Sequence, residues 1–523
     1  MTLLARTGVC SLGLDLGTSS VKAVVLEVGG GRVLAQASAG YPVVSAAAGQ
    51  AESDPGLWWS AVTSCTREVL AAAGVVEPVA IGLSGQMHGL VMTSADGTAL
   101  RPALLWADNR ATGALSAYRQ LPRPALDRLA NPLAAGMTGP MLTWVAGHEP
   151  AVYAAARWAL SPKDWLRARL TGEVHAEPSD ASATLLYDVP GDRWDLEVVG
   201  ALGLDAGLLA PLLPSAGAAA GRLTAEAAAA LGLPAGLPVA AGAGDTAAAA
   251  LGSGLSAAGS DVQLTVGTGA QVVRPVGVPV NRASAGVHLY RLATPGGWYQ
   301  MGATLSAGLS LNWVREVLNA TWEELYASAA GASGAGSGSG LGSGSGGDPI
   351  FVPHLTGERT PYCDPSLRGS WTSLSLASDR GALLRSALEG TAFAIRDALD
   401  AVVGSAGLGS AALGSAGLRL AGGGTLAAGW RQMLADVLGV PLYAVEVPAA
   451  SGRGAALLGA VAAGLLEFDD CVGPLAPLAP PVALAAEPDP GRAAMYEERH
   501  GRFQHAVTAL RVPEGLRVPE GAS

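Results

Sequence analysis

The sequence predicts a mixed α/β protein built of two related lobes. Two segments carry that reading. Residues 11–27 (S-L-G-L-D-L-G-T-S-S-V-K-A-V-V-L-E) and 261–276 (D-V-Q-L-T-V-G-T-G-A-Q-V-V-R-P-V) each read as two apolar, β-branched strands joined by a Gly-Thr turn. They stand half a chain apart, too far for a solenoid period. A duplicated domain, each half opening on its own hairpin, explains the separation. Helical apolar spacing alternates with short strands elsewhere, as in α/β chains.

Each element follows from local pattern. Residues 55–73 space apolar side chains for a helix, which Gly74 ends. Residues 78–83 and 237–241 read as strands. A short strand at 418–420 runs into the glycine cluster at 421–424, and a helix follows. Residues 492–510 form a last helical run before a polar tail. Residues 328–347 are almost wholly Gly, Ser and Ala; they read as a flexible surface loop inserted in the second half.

Composition narrows the function classes. Half of the 523 residues are apolar, so a large core is available, and only 14% are charged. Gly (72) and Pro (33) make up about a fifth of the chain, below the roughly 25–30% typical of low-complexity disorder. The net charge of −11, with no Lys/Arg-rich run, excludes nucleic acid as a partner. Cys10, Cys65, Cys363 and Cys471 show no C-x-x-C spacing, so neither a zinc site nor a disulfide framework is written here, and a reducing cytoplasm fits. The apolar stretch after Arg6 is cut by Asp15 before a signal peptide develops. The Ala/Gly-rich stretch at 227–254 contains Pro234, Pro238 and Asp245, which argues against a membrane span.

Several motifs carry chemistry. In Asp15-Leu16-Gly17-Thr18-Ser19 a carboxylate ends a strand, and a Gly-led turn then offers N–H groups and two hydroxyls, a nest for phosphate. An Asp beside a phosphate needs a cation between them, which implies Mg²⁺. By itself the motif is equally an ordinary turn with a hydrogen-bonding Asp. The second turn, Gly267-Thr268-Gly269, makes a pair of phosphate clamps the stronger reading. Gly422 and Gly423, after a strand and before a helix, would let a ligand lie against the backbone.

Residues 242–247 (G-A-G-D-T-A) match a dinucleotide-binding fingerprint, but the match fails on charge. Asp245 would point a carboxylate at the pyrophosphate. At a helix N-terminus the dipole keeps it ionised, as a general base toward a substrate hydroxyl or as a simple N-cap. Ser84-Gly85-Gln86-Met87-His88-Gly89 follows a strand, where α/β proteins gather site loops. Gln86 and His88 are placed for hydroxyl recognition, with Met87 as an apolar wall. Trp106 and Asp108, in W-A-D-N-R, have the composition of a sugar pocket or of a strand-to-helix cap. The histidines show no metal-ligand spacing, and no G-x-S-x-G elbow supports serine catalysis.

Taken in order, D-L-G-T-S-S-V-K, S-G-Q-M-H-G, L-W-A-D-N-R, S-P-K-D-W-L-R, G-A-G-D-T-A-A-A, V-G-T-G, L-T-G-E-R-T-P, A-L-E-G and G-G-G-T-L-A-A-G-W-R-Q-M-L-A-D resemble the FGGY carbohydrate kinases, most closely their xylulose-phosphorylating members. The resemblance implies two ribonuclease-H-like domains of the actin and hexokinase ATPase type around a cleft, divided as residues 1–253 and 254–523. It implies ATP-dependent phosphorylation of D-xylulose to D-xylulose 5-phosphate, with Asp245 as base and Asp15 acting through Mg²⁺. Thr18 and Ser19 would lie near the transferred phosphate. Gln86, Met87, His88, Trp106, Asp108 and Thr246 would line the sugar site. Gly267, Thr268, Gly308, Asn312, Gly422 and Gly423 would hold the nucleotide. A homodimer would fit the family.

Three departures stand out: Thr246 where Asn or Gln commonly follows the catalytic Asp, Ala270 after G-T-G, and Ala427 at an often polar position. The competing readings are another kinase of the family acting on ribulose, gluconate or glycerol, an actin-like nucleotide switch, and a nicotinamide oxidoreductase resting only on residues 242–247.

Overall fold

Period-two alternation builds the first strand. In β1 (Cys10–Leu16) the even positions Leu12, Leu14 and Leu16 are fully buried in one core, while Ser11, Gly13 and Asp15 point to the opposite face. The chain turns at Gly17 into β2 (Ser20–Glu27), with the Gly17 N–H donating to the Ser20 carbonyl at 3.0 Å, and continues into β3 (Val33–Gly40). Helix α1 (Pro55–Ala73) starts and stops where the sequence places it. The Asp54 carboxylate caps the Gly56 N–H, Pro55 opens the first turn, and Gly74 closes the helix at φ 79°. Its Trp58, Val62, Cys65 and Val69 lie one helical turn apart and pack on the leucines of β1.

The computed structural model describes residues 8–74, 77–259, 261–329, 348–404, 417–473 and 475–511. Apart from Ser328 and Ala329, the Gly/Ser/Ala-rich stretch at 328–347 lies outside them, as does the polar tail. The first sheet adds β4 (Pro78–Gly85), β5 (Ala219–Arg222) and β6 (Pro238–Ala240) in the order β5-β6-β4-β1-β2-β3. The second contains β7 (Val262–Val266), β8 (Ala270–Val276), β9 (His288–Arg291), β10 (Trp298–Thr304), β11 (Leu418–Ala421), β12 (Leu442–Val445) and β13 (Val482–Ala486), ordered β9-β10-β8-β7-β11-β12-β13.

The two orders superimpose. Reading from β3 in one sheet and β10 in the other, the pairings run antiparallel, antiparallel, parallel, parallel, antiparallel in both. The two Gly-Thr hairpins are therefore equivalent corners of equivalent sheets. This is the duplicated ATPase-type fold that the hairpins and the family resemblance imply.

The helices that follow the matched strands also correspond: α2 (Asp245–Gly252) after β6, and α6 (Ala450–Ala462) after β12. They cross at the lobe interface with no room for side chains. A Cβ on Gly252 would sit 2.1 Å from the Ala450 carbonyl oxygen, and one on Gly454 1.9 Å from that of Ala248. Helix α6, although late in the chain, also lies on the first sheet, where a Cβ on Gly13 or Gly82 would clash with the Gly452 or Ala455 carbonyl. Arg453 of α6 is buried and donates to the carbonyls of Gly31, Gly252 and Leu478. Among the described residues no helix is long and apolar enough to cross a membrane.

Candidate active site

Because β1 and β4 are parallel neighbours in register (Asp15 beside Ser84), their C-terminal ends open on the same edge of the first sheet. A cavity of about 590 Å³ lies between that edge and the second sheet. Asp15, Gly17, Lys22, Asp245 and Thr246 line it from the first lobe, and Gln263, Thr265, Gln271, Ala421, Gly422 and Gly423 from the second. The structure thus joins one phosphate turn, both candidate carboxylates and the glycine cluster.

Asp15 is buried, accepts a 2.9 Å hydrogen bond from the Ser84 hydroxyl, and pairs across the hairpin with Lys22. Burial pushes its pKa up, against the opposing pull of Ser84 and Lys22. Asp245 opens α2. Its Oδ1 accepts from the Thr246 amide at 2.6 Å and from the Thr246 hydroxyl at 3.1 Å. Burial, followed by the charge of Asp15, pushes the Asp245 pKa up to about 6. The helix dipole and the two Thr246 donors therefore do not hold this carboxylate in the ordinary acidic range that its position on a helix suggests. Desolvation and Asp15 outweigh them, leaving a carboxylate that can exchange a proton close to neutral pH. Thr246, the first departure, puts its hydroxyl on this carboxylate.

The loop carrying Asp245 is braced from below. Gly242 turns at φ 80°. The Ala241 carbonyl accepts from Arg167 at 2.7 Å, and the Gly244 amide donates to the Ser179 hydroxyl at 3.1 Å. Ser179 in turn donates to Glu177. Beneath lie Lys163, Asp164, Glu177 and Asp180, all buried, with the Lys163 ammonium 2.6 Å from Asp164, 3.3 Å from Glu177 and 3.7 Å from Asp180. Burial in this acidic company pushes Asp180 up to about 7. Lys163 and Arg167, which lies 2.7 Å from Asp164, supply the positive charge that faces these three carboxylates.

Gln86 is buried, and its amide nitrogen donates to the Gly17 carbonyl at 3.1 Å, so it holds the phosphate turn; no donor reaches its Oε1 among the described residues. His88 sits at φ 71°, a left-handed backbone that a non-glycine residue adopts at a cost. Its Nδ1 lies 2.7 Å from the Ala183 carbonyl, which can only accept, so Nδ1 carries the proton and Nε2 is left as an acceptor. Burial lowers its pKa to about 4, keeping the ring neutral. Met87 lies under Gly244 and accepts from the Tyr299 hydroxyl at 3.6 Å. Trp106 donates to the Thr18 hydroxyl at 2.9 Å, tying the sugar-pocket motif to the phosphate turn. Asp108 lies behind this wall, wholly buried. It accepts from the Ala51 amide at 2.7 Å and pairs with Arg110 at 2.8 Å, so its carboxylate is engaged by the protein itself.

On the second lobe the N-terminus of α3 (Gly308–Val317), which precedes α4 (Arg380–Val403) and α5 (Ala428–Leu438) in the chain, rests on the second turn. The Gly308 amide donates to the Gly267 carbonyl at 3.0 Å and Leu309 to that of Thr268 at 2.9 Å. A Cβ on Gly308 would lie 2.5 Å from the Gly267 oxygen, so glycine is required for this approach. Gly422, at φ 95°, draws β11 against Val266. Asn312 lies a turn further along α3, its amide bonded to Glu316 and Arg315. Ser19 is exposed at the first turn, and its carbonyl accepts from Tyr41.

Sequence reasoning assigned no role to Arg359, whose guanidinium lies 5.1 Å over the Trp106 ring from the opposite lobe. The motif L-T-G-E-R-T-P marks its position, but only the tertiary fold shows what it faces. Among the described residues no cluster of three or more His, Cys, Asp or Glu could hold a metal by itself.

A cleft between duplicated lobes, with two carboxylates on one and glycine-rich turns on both, fits a phosphotransferase of the sugar-kinase ATPase type. The chain matches the N-terminal domain of the FGGY family of carbohydrate kinases over residues 10–252 and the C-terminal domain of that family over residues 262–463. It belongs to this family and is a carbohydrate kinase. It is similar to a xylulose kinase of Bacillus subtilis (strain 168), 31% identical over 466 residues, covering 88% of this chain and 90% of the relative. A solved structure of a "xyloylose kinase" from Brucella ovis is 33% identical with a TM-score of 0.84, covering 96% of this chain and 99% of the other. A gluconate kinase from Lactobacillus acidophilus has the same TM-score, 0.84, at 24% identity, covering 96% and 98%. Fold similarity therefore does not separate the substrates.

Proposed function

We propose that this kinase transfers the γ-phosphoryl group of ATP to the terminal hydroxyl of D-xylulose, giving D-xylulose 5-phosphate. The observation that carries the mechanism is Asp245, a carboxylate facing the cleft beside Asp15 and pushed up to about 6. It takes the proton of the sugar hydroxyl as that oxygen attacks the γ-phosphorus. The bond to the β–γ bridging oxygen breaks, and ADP leaves. The bare Nε2 of neutral His88 offers an acceptor to a sugar hydroxyl, with Met87 and Trp106 as apolar walls. The names of the relatives from Bacillus subtilis and Brucella ovis, together with Q-M-H-G, support xylulose as the acceptor.

Asp15 and Asp245 line one cavity, and the charge of Asp15 raises the Asp245 pKa; such a pair fits a divalent cation, and Mg²⁺ commonly takes one or two carboxylates plus substrate phosphates. Bound there, Mg²⁺ supplies charge neutralisation at the phosphates; Asp15 would hold it. Gly17, Thr18 and Ser19 on one side, and Gly267, Thr268, Gly422 and Gly423 on the other, would present backbone N–H groups to the phosphates. Closure excludes the water that would otherwise accept the phosphoryl group.

The test is ADP release with Mg²⁺-ATP against D-xylulose, D-ribulose, L-ribulose, gluconate, glycerol and no sugar. A strong preference for D-xylulose supports the proposal. Another preferred sugar retains the mechanism and changes the acceptor; ADP release independent of sugar overturns both.

A further inference from the structure

Residues 357–364 form a rigid loop of the second lobe, and the cause is Glu358. This carboxylate is buried, and all its acceptor capacity is used inside its own lobe. Its Oε1 accepts from the amides of Leu305 and Arg359, each at 2.8 Å. Its Oε2 accepts from the Thr304 hydroxyl at 2.7 Å and lies 2.9 Å from His354 Nδ1. Thr360 adds a second anchor, donating to the Gly286 carbonyl at 2.7 Å and accepting from the Ala303 amide at 3.0 Å. The side chain between these anchors, Arg359, is carried outward into the cleft and is accessible to solvent.

What Arg359 meets there is unusual for a cation. Its guanidinium stacks over Trp106 of the first lobe, and Trp106 is itself fixed to Thr18 of the phosphate turn. Among the described residues no carboxylate pairs with Arg359, and none of its side-chain N–H groups donates to another residue. The one adjacent carboxylate, Glu358, is already spent. The charge of Arg359 is felt at His88, His288 and Tyr290, all neutral, with the Tyr290 hydroxyl and His288 Nδ1 2.7 Å apart. The charge felt at Asp245 is instead that of Asp15. Tyr290 feels the charges of both Asp245 and Arg359. A five-donor fork, unpartnered and stacked on the Trp106 that is bonded to the phosphate turn, is arranged for oxygen atoms that the protein does not supply.

We infer that Arg359 is a substrate-contacting residue of the acceptor site: delivered by the second lobe beside Trp106, it donates to oxygens of the acyclic sugar other than the hydroxyl that Asp245 deprotonates. The inference rests on the reading that this cleft accepts a sugar. It also gives lobe closure a ligand-dependent contact, since the sugar would bridge Arg359 and the first-lobe wall.

The experiment uses the full chain as wild type, Arg359→Gln and Arg359→Lys, with the best acceptor from the sugar panel. ADP release is measured with sugar and ATP varied separately, alongside thermal melting. Losing charge-assisted hydrogen bonds raises the sugar KM of Arg359→Gln by about 10- to 100-fold, with the ATP KM and the melting temperature little changed. Arg359→Lys recovers part of the loss, because it keeps the charge but not the planar fork. A sugar KM in Arg359→Gln equal to wild type overturns the inference while leaving the kinase reading intact. So does a parallel rise in ATP KM, which would make Arg359 a nucleotide contact, and so does a fall in melting temperature that accounts for the lost activity. Absence of any sugar dependence in the wild type overturns the inference and the proposed function together.

Discussion

Asp245→Asn separates the functional cost of this residue from its structural cost, and the two should move in opposite directions. Asparagine keeps the shape and retains an oxygen to accept from the Thr246 amide and hydroxyl. It removes the base, and general-base contributions are typically about 10²–10⁴-fold in rate; turnover should fall by that range while ATP affinity is retained. Stability should rise. The carboxyl pKa moves from 3.8 to about 6 on folding, and each unit is about 1.4 kcal/mol. The gross penalty for carrying the charge is therefore about 3 kcal/mol, and solvent in the cleft reduces it to roughly 1–2 kcal/mol. For lobes of this size that corresponds to a melting temperature higher by roughly 2–6 °C at pH 7.5. Because the folded pKa lies above the unfolded one, the protonated carboxyl favours the fold. That contribution is fully present below 3.8 and is lost as pH rises through about 6. The stability advantage of the variant should accordingly shrink as pH is lowered through about 6. ADP release and melting curves at pH 7.5 and pH 5 supply the data. Wild-type turnover in the variant, or a lower melting temperature at pH 7.5, would refute the assignment.

In the wild type, the pH profile of kcat/KM should fall below about 6 as Asp245 takes up its proton, with no second inflection near 6.5 from His88, whose pKa burial has lowered to about 4. Gly82→Ala would put a Cβ 1.7 Å from the Ala455 carbonyl oxygen and force α6 off the first sheet, costing about 3 kcal/mol or more in urea unfolding. Gly423→Ala, whose Cβ meets nothing within 4 Å, should stay within about 0.5 kcal/mol of wild type in the same measurement. Lys163→Met leaves Asp164, Glu177 and Asp180 buried without their ammonium, and unfolding should show a loss of about 3–5 kcal/mol. Trp106→Phe loses the bond to Thr18 and should raise the sugar KM by roughly five- to tenfold, measured by ADP release.

The parts of this structure legible in the sequence are those fixed by local chemistry. The Gly17 and Gly267 turns, the exact extent of α1 with its Asp54 and Gly74 caps, and the C-terminal helix (Pro490–Leu510) all depend on neighbours in sequence. Asp245 was legible through a conflict, a carboxylate where a dinucleotide fingerprint needs none. Its raised pKa is not legible, because the burial that chiefly causes it, and the nearness of Asp15, arise only in the fold. The engagement of Asp108 by Ala51 and Arg110 likewise needs the tertiary fold. The seating of α6 on the first sheet depends on Gly13 and Gly82, glycines that in sequence look like any others in strands. Arg359 was hidden most completely: its significance is an absent partner, and absence of a partner has no sequence pattern.

In the proposed mechanism only one lobe carries the base, and the duplication shows what distinguishes the two lobes. Aligned at their turns, the first hairpin reads Asp15-Leu16-Gly17-Thr18 and the second Thr265-Val266-Gly267-Thr268. The helices after the matched strands open with Asp245 in the first lobe and Ala450 in the second. All four of Asp15, Thr265, Asp245 and Ala450 line the same cavity. At both equivalent places, then, the first lobe presents a carboxylate and the second a neutral side chain. On the proposed reading, a polyphosphate held by the second lobe meets glycine amides and hydroxyls without like-charge repulsion, and the acceptor hydroxyl on the first lobe meets the carboxylate that takes its proton. Two copies of one fold can hold the two halves of a phosphoryl transfer because the second copy lacks both carboxylates; restoring them, as Thr265→Asp with Ala450→Asp, would place repulsion on the donor side and weaken ATP binding before it touched the sugar.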